Sequence, residues 1–307
     1  MSARWRKLGL IYCPDGNERH PKLRTHAANP LPLKMGDDLY RIFYSGRDAE
    51  NRSSVGAVDI DIAKLKVVKD HAQPFFEHGP TGSFHADGVS IGCCYEADQR
   101  YILFMGWQNP AGGHWRGDIG RLIVLPDLTL ELEQPTPLIG TSDEDPISLS
   151  YPWVIRLASG GYRMWYGSTI NWDAGNGEML HVIKSASSSN GNDWTTEGLA
   201  VPYQLGSAQA FSKPVVVSEP GSSTFSMWFS YRGTGGGGYR IGYARSSNGM
   251  DWELANADAG ITVSASGWDS EMIEYPHVFD HADRRYMLYN GNGYGQSGIG
   301  LAVLENG

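Results

Sequence analysis

The chain has 307 residues, of which 41% are hydrophobic, 11% aromatic and only 19% charged, with 39 glycines and 10 tryptophans. So little charge beside so much aromatic and glycine content favours packed sheets joined by tight turns over helices, which would draw on more Ala, Glu, Lys and Leu. A net charge of −9 argues against duplex nucleic acid and anionic membrane surfaces as partners, since neither attracts such a surface.

The N-terminal stretch MSARWRKLGLIYCP is basic but has no apolar run of signal-peptide length. No segment approaches the roughly 18 apolar residues of a membrane span. Cys13, Cys93 and Cys94 match no metal spacing, and adjacent Cys93 and Cys94 point to opposite faces of a strand as small buried hydrophobes. The expectation is a cytoplasmic protein with no metal and no cofactor.

In chain order, one unit recurs: DDLYRIFYSG, DQRYILFMGW, GGYRMWYGST, STFSMWFSYR and DRRYMLYNGN. Its first aromatic falls at Tyr40, Tyr101, Tyr162, Phe225 and Tyr286, with spacings of 61, 61, 63 and 61. Each copy alternates large apolar residues at period two, as a strand with one buried face requires. Ahead of each lies a short β-rich run, NPLPL, DGVSIG, YPWVIR, KPVVVS and YPHVFD, marked by Pro30, Gly88, Pro152, Pro214 and Pro276. A third strand follows each aromatic one. In the third and fourth copies it runs into SSNGNDW and SSNGMDW, where an Asn-Gly turn leads through Trp194 or Trp252 into a fourth strand.

Four strands per repeat predict an all-β fold, a five-bladed β-propeller formed as one domain over residues 1–307. The fifth copy ends without its fourth strand, while ARWRKLGLIYCP near the N-terminus reads like NDWTTEGLAVP of the third copy. Residues 4–13 are therefore expected to complete blade five and close the ring, leaving no open sheet edge.

In such a ring the first strand of each blade lines the central channel, and its start meets the others at one mouth. The converging segments are RTHAANP, SFHADGV, SLSYPWV, AFSKPVV and MIEYPHV. Asp87 and Glu274 stand out as a carboxylate pair for acid and base work at a glycosidic bond. Arg24, His26, His85 and Lys213 are placed to hold an anionic group, with Asn29, Tyr151, Glu271, Tyr275 and His277 completing the mouth. Trp107 is expected to stack on an apolar sugar face, and Trp115, Trp172, Trp153 and Tyr294 are further candidates. Asp143, Glu144 and Asp145 form an acidic patch that reads as a solvated loop, with a cation site as the alternative.

Strands beginning near Asn-Pro, Asp-Gly or Tyr-Pro, with S-x-N/D-G-x-x-W outer turns, resemble the five-bladed propeller glycosidases. That superfamily includes the arabinanases and xylosidases of family 43, the invertases and levansucrases, and the mannoside phosphorylases of family 130. The resemblance covers nearly the whole chain. It implies an Asp in blade one, a central Asp and a Glu facing the channel. Asn29 occupies the first of these positions, Asp87 matches the central Asp, and Glu274 is the nearest substitute for the Glu. The expected function is therefore a hydrolase, phosphorylase or transferase acting on a small-molecule or oligosaccharide substrate. The alternatives are a non-catalytic glycan-binding propeller and a protein-interaction scaffold.

Overall fold

A computed structural model describes residues 4–14, 19–218, 224–235 and 237–305. The chain is all-β. The only helical elements among the described residues are two 3-10 turns, Pro21–Leu23 and Asn256–Asp258.

Strand β1 (Arg4–Tyr12) stands apart at the start. The first antiparallel meander follows as β2 (Thr25–Lys34), β3 (Leu39–Arg47), β4 (Ser53–Asp61) and β5 (Lys66–Phe76). The next is β6 (Gly88–Glu96), β7 (Arg100–Gln108), β8 (Arg116–Val124) and β9 (Leu130–Leu132). A third comprises β10 (Ser148–Arg156), β11 (Tyr162–Asn171), β12 (Leu180–Ser188) and β13 (Thr195–Leu199). Then come β14 (Ala210–Ser218), β15 (Phe225–Arg232), β16 (Arg240–Ser246) and β17 (Glu253–Leu254). The last strands, β18 (Glu274–His281), β19 (Arg284–Asn290) and β20 (Ile299–Glu305), take β1 as their fourth, with Trp5 opposite Leu304 and Tyr12 opposite Ile299.

The repeat read from the sequence is thus a strand repeat. The fourth strands of the third and fourth copies start directly after Trp194 and Trp252. Gly191 and Gly249, at φ +78° and +72°, supply the left-handed backbone that their turns require.

The apolar faces meet between successive meanders. Leu31, Phe43 and Val55 pack on Val89, Ile91 and Phe104. Tyr101 and Leu103 pack on Leu149 and Met164, and Trp165 and Ile183 on Phe211 and Phe229. Val215 and Trp228 meet Val278, Met287 and Trp5, while Leu288, Val303 and Ile11 meet Ile42 and Val58 of the first meander.

One feature of the first strands differs from expectation. The Pro-marked positions are not strand starts but lie within bulges. Pairing slips between Ala28 and Leu31, Ser150 and Trp153, Ser212 and Val215, and Glu274 and His277. The residue before each proline, Asn29, Tyr151, Lys213 or Tyr275, sits at φ +55°, +39°, +51° or +51°. Left-handed backbone disfavours a residue with a Cβ, and proline has no N–H to give the ladder, so a bulge is where such a pair fits. In β6 the slip lies between Ile91 and Cys94, so the bulge there is Gly92–Cys93, not the Asp87–Gly88 step.

Candidate functional site

A cavity of about 350 Å³ opens where the first strands begin. The bulges set its walls, bringing Asn29, Tyr151 and Tyr275 to it from three meanders. Antiparallel pairing brings the ends of the second strands to the same place. Thr25 faces Arg47, Gly88 faces Trp107 and Ala210 faces Arg232, and Arg47, Trp107 and Arg232 all line the cavity.

Glu274 opens β18 opposite Asn290 and has no solvent exposure. Neither carboxyl oxygen has a hydrogen-bond partner. Burial pushes this carboxyl well above the usual carboxylate range, against the opposing pull of Arg47 and Arg232. Tyr151, Tyr239 and Tyr275, all cavity-lining, are near enough to Glu274 to feel its charge. Their hydroxyls are held protonated by burial, and Tyr151 lies 3.5 Å from Tyr275, oxygen to oxygen.

A second orphan adjoins it. Asn29, 2% exposed, donates its backbone N–H to Asn290 Oδ1 at 2.9 Å, yet its own Oδ1 has no partner among the described residues. Buried polar atoms are nearly always satisfied, so several orphans around one cavity mark groups that a ligand would complete.

The two cations differ. Arg232 is paired with Glu178 at 2.8 Å and lies over the Tyr239 ring at 5.0 Å. Arg47 is half-buried, and among the described residues none engages its guanidinium in a hydrogen bond or ion pair. His181, also at the wall, is held between Ser150 Oγ at 2.8 Å and Thr169 Oγ1 at 2.6 Å. Burial and then Arg232 drag it down to about 4, so it is neutral. Trp107 Nε1 donates to Ser53 Oγ at 3.0 Å, fixing the indole plane. Trp115 stands edge-on to Trp172, which stacks with His114 at 4.3 Å.

The remaining residues expected at the mouth lie elsewhere. Asp87 precedes β6, is half-buried and accepts from Asn109 N at 2.7 Å. It is absent from the cavity wall, although Asn109 and Trp107 belong to it. His26 sits behind the wall beside Arg47, and burial followed by that cation drags it down to about 4. Arg24 is exposed at the end of a 3-10 turn, and Glu271 is exposed in the loop before β18. His85 is packed among Phe84, Phe76 and Phe104. Lys213 is fully buried, its Nζ donating to Gly92 O across the first strands. His277, ring to ring with Trp153 at 5.0 Å, lines a different pocket at the far ends of these strands.

The loop of Asp143 to Asp145 is not simply solvated. Asp145 is buried, ion-paired with Lys184 at 3.0 Å and hydrogen-bonded by Tyr166. Among the described residues no group of His, Cys, Asp and Glu is arranged to hold a metal ion. None of their helices is long and apolar enough to cross a membrane.

Reading strand starts alone missed Arg47, Arg232, Tyr239 and His181. The two arginines did carry a signal, since each follows its repeat aromatic, Tyr40 or Phe225, by seven residues.

Comparison with solved structures places the fold among the propeller glycoside hydrolases. The catalytic domain of a Coprinopsis cinerea GH62 α-L-arabinofuranosidase superposes with TM-score 0.65 at 15% identity, covering 99% of this chain and 98% of that one. An endo-arabinase from Bacteroides thetaiotaomicron gives 0.66 at 14%, covering 94% and 98%. A structure described under the GH130 mannoside phosphorylases, with glycoside hydrolases that target β-1,2 mannosidic linkages in Candida mannan, gives 0.71 at 12%, covering 99% and 94%. The resemblance expected from the repeat is therefore met at the level of fold.

No protein-family model matches the sequence. Two curated sequences do, "Uncharacterized protein Rv1502" and "Uncharacterized protein MT1551" of two Mycobacterium tuberculosis strains. Each is 43% identical over 305 residues, spanning 98% of this chain and 99% of the relative. The chain belongs to the family of Rv1502.

Proposed function

We propose that the chain is a carbohydrate-active enzyme whose reaction takes place in the cavity beside Glu274, a residue buried behind the wall and not part of it. The architecture that goes with this reading is one five-bladed ring, with β1 as the outer strand of the last blade. Its support is the run of apolar contacts from each meander to the next and from the last back to the first. A reducing compartment such as the cytoplasm suits the unbridged thiols of Cys93 and Cys94.

The observation that carries the functional reading is a fully buried carboxyl without a partner among the described residues, its burial favouring the protonated form, beside a cavity of tyrosines, tryptophans and arginines. A carboxylic acid that keeps its proton at neutral pH is what protonation of a glycosidic oxygen requires. In this scheme Glu274 donates to the leaving oxygen as the sugar ring becomes oxocarbenium-like. Tyr151, Tyr239 and Tyr275 donate hydrogen bonds to sugar hydroxyls, and Trp107 and Trp115 offer faces for the ring. Asp87, at the rim, activates the attacking group. Asn29, an amide where the glycosidases carry an Asp, binds a hydroxyl and takes no proton.

A second reading is a glycan-binding propeller without turnover. It is favoured by the cavity wall itself, which among the described residues contains no Asp or Glu. A screen of aryl glycosides and sugar phosphates, followed by Glu274→Gln and Asp87→Asn, separates the two. Loss of a positioned proton donor costs about 10²–10⁴-fold in rate while the amide preserves shape. Glu274→Gln that turns over substrate at the parental rate would remove the catalytic assignment. A screen without turnover, in which both variants bind glycans like the parent, would establish the binding module.

A further inference from the structure

We propose that this cavity selects sugars bearing an oxyanion, a carboxylate or a phosphate, and that Arg47 is the residue that reads that charge. The inference rests on the cavity being the carbohydrate site and adds the class of sugar it takes.

Other sheltered arginines of the chain are paired with carboxylates. Arg41 is paired with Asp59, Arg121 with Glu133 and Arg232 with Glu178. Arg47, half-buried at the end of β3, has none of its five N–H donors engaged by a described residue, and it lines the cavity. No nitrogen of Arg47 is among the sealed, unpartnered atoms, so its donors are open at the cavity and free to take a ligand acceptor. Its planar fork matches two oxygens of one carboxylate or phosphate.

The groups around Arg47 leave that role open. His26 of β2 is held neutral, Tyr151 of β10 keeps its phenolic proton, and Glu274 of β18 resists ionisation through burial. Across the cavity Arg232 of β15 adds a second positive charge, only partly offset by Glu178. In a chain of net charge −9, this cavity is a local positive well.

A consequence for the chemistry follows. Arg47 is the largest influence pulling Glu274 towards ionisation, with Arg232 next. An anion seated on Arg47 cancels that pull, so the charge that binds the substrate also keeps the proton on the acid. A neutral sugar leaves the pull in place.

The test is binding, read by quenching of Trp107 and Trp115 fluorescence and by calorimetry at low and high salt. Neutral methyl glycosides are compared with the matching uronates, with sugar 1-phosphates and with orthophosphate alone. The parent is expected to prefer the charged partner of a pair by about 10–100-fold, the range of a charge-assisted hydrogen-bonded pair. The preference should shrink as salt rises. Arg47→Gln should abolish it while weak neutral binding persists, and Arg47→Lys should retain part of it, with melting curves confirming that both variants fold. Preference for uronates identifies a carboxylate, and preference for the 1-phosphates or orthophosphate identifies a phosphate; both support the assignment. Equal affinity for charged and neutral partners, or a preference that survives Arg47→Gln, overturns it and leaves the carbohydrate reading standing. No binding of any sugar, charged or neutral, overturns both.

Discussion

Replacing Lys213 by Met asks whether this lysine serves a ligand or only the fold. The side chain leaves the β14 bulge, has no solvent exposure and donates to a backbone carbonyl, Gly92 O. Burial pulls its pKa from 10.5 down to about 7, with only a small counter-pull from the Cys93 thiol. At about 1.36 kcal/mol per unit, a displacement of this size corresponds to roughly 5 kcal/mol between charged and neutral forms. The sign follows from proton counting. Between pH 7 and 10.5 the unfolded chain carries a proton that the folded chain lacks, so this lysine makes stability rise with pH across that window. Below pH 7 its penalty is fully present. Lys213→Met removes the penalty but leaves Gly92 O without its donor, at a cost of about 1–3 kcal/mol. The variant should therefore be more stable than the parent at pH 7 by on the order of 2 kcal/mol, and less stable above pH 10. Guanidinium unfolding of both proteins at pH 7.0, 8.0, 9.0 and 10.0 gives the difference directly, and other titrating groups cancel in it. The parent should gain on the variant by about 1 kcal/mol per pH unit. A flat difference would show that Lys213 stays charged in the fold, and the account of it as a buried neutral amine would fail.

Glu274 gives the opposite slope. Its proton is kept by the fold but lost by the unfolded chain near 4.5, so parental stability falls as pH rises from there towards the higher folded value. Glu274→Gln should melt with the parent near pH 4 and above it at pH 7; coincident melts at both would refute the buried acid. Trp5 is buried edge-on against Trp228 at 5.5 Å and tethers β1 to the last meander. Trp5→Ala should cost about 3–5 kcal/mol in denaturant unfolding, and a loss below 1 kcal/mol would mean that the N-terminal strand is dispensable.

The strands were legible because each copy alternates large apolar residues around a repeated aromatic, a pattern that survives any loop length. Tyr40, Tyr101, Tyr162 and Tyr286 are all buried, and the partner of the lone C-terminal strand could be read from Trp5 and Gly9. The site was less legible, for a geometric reason. A first strand was treated as a single file of residues delivering its start to the mouth, yet every first strand is hydrogen-bonded antiparallel to a second one. The mouth therefore receives the start of one strand and the end of the next, and Arg47, Trp107 and Arg232 arrive by that second route.

The bulges add an error of register that no periodicity reveals. Pro30, Pro152, Pro214 and Pro276 announce a departure from the ladder, but a proline looks the same at a strand start and inside a bulge. The β6 bulge has no proline: Gly88 marks the start of its strand, while the bulged residues are Gly92 and Cys93. Lys213 shares its bulge position and left-handed backbone with Asn29, Tyr151 and Tyr275, yet its side chain runs to Gly92 O while its neighbour Ser212 lines the mouth. Bulge position alone does not decide membership of this cavity: Ser150 and Tyr151 both line it, Ser212 lines it without Lys213, and Tyr275 lines it without Glu274. Two adjacent residues, Glu274 and Tyr275, show the division: the first is sealed in as an acid without a partner, and the second is turned to the wall.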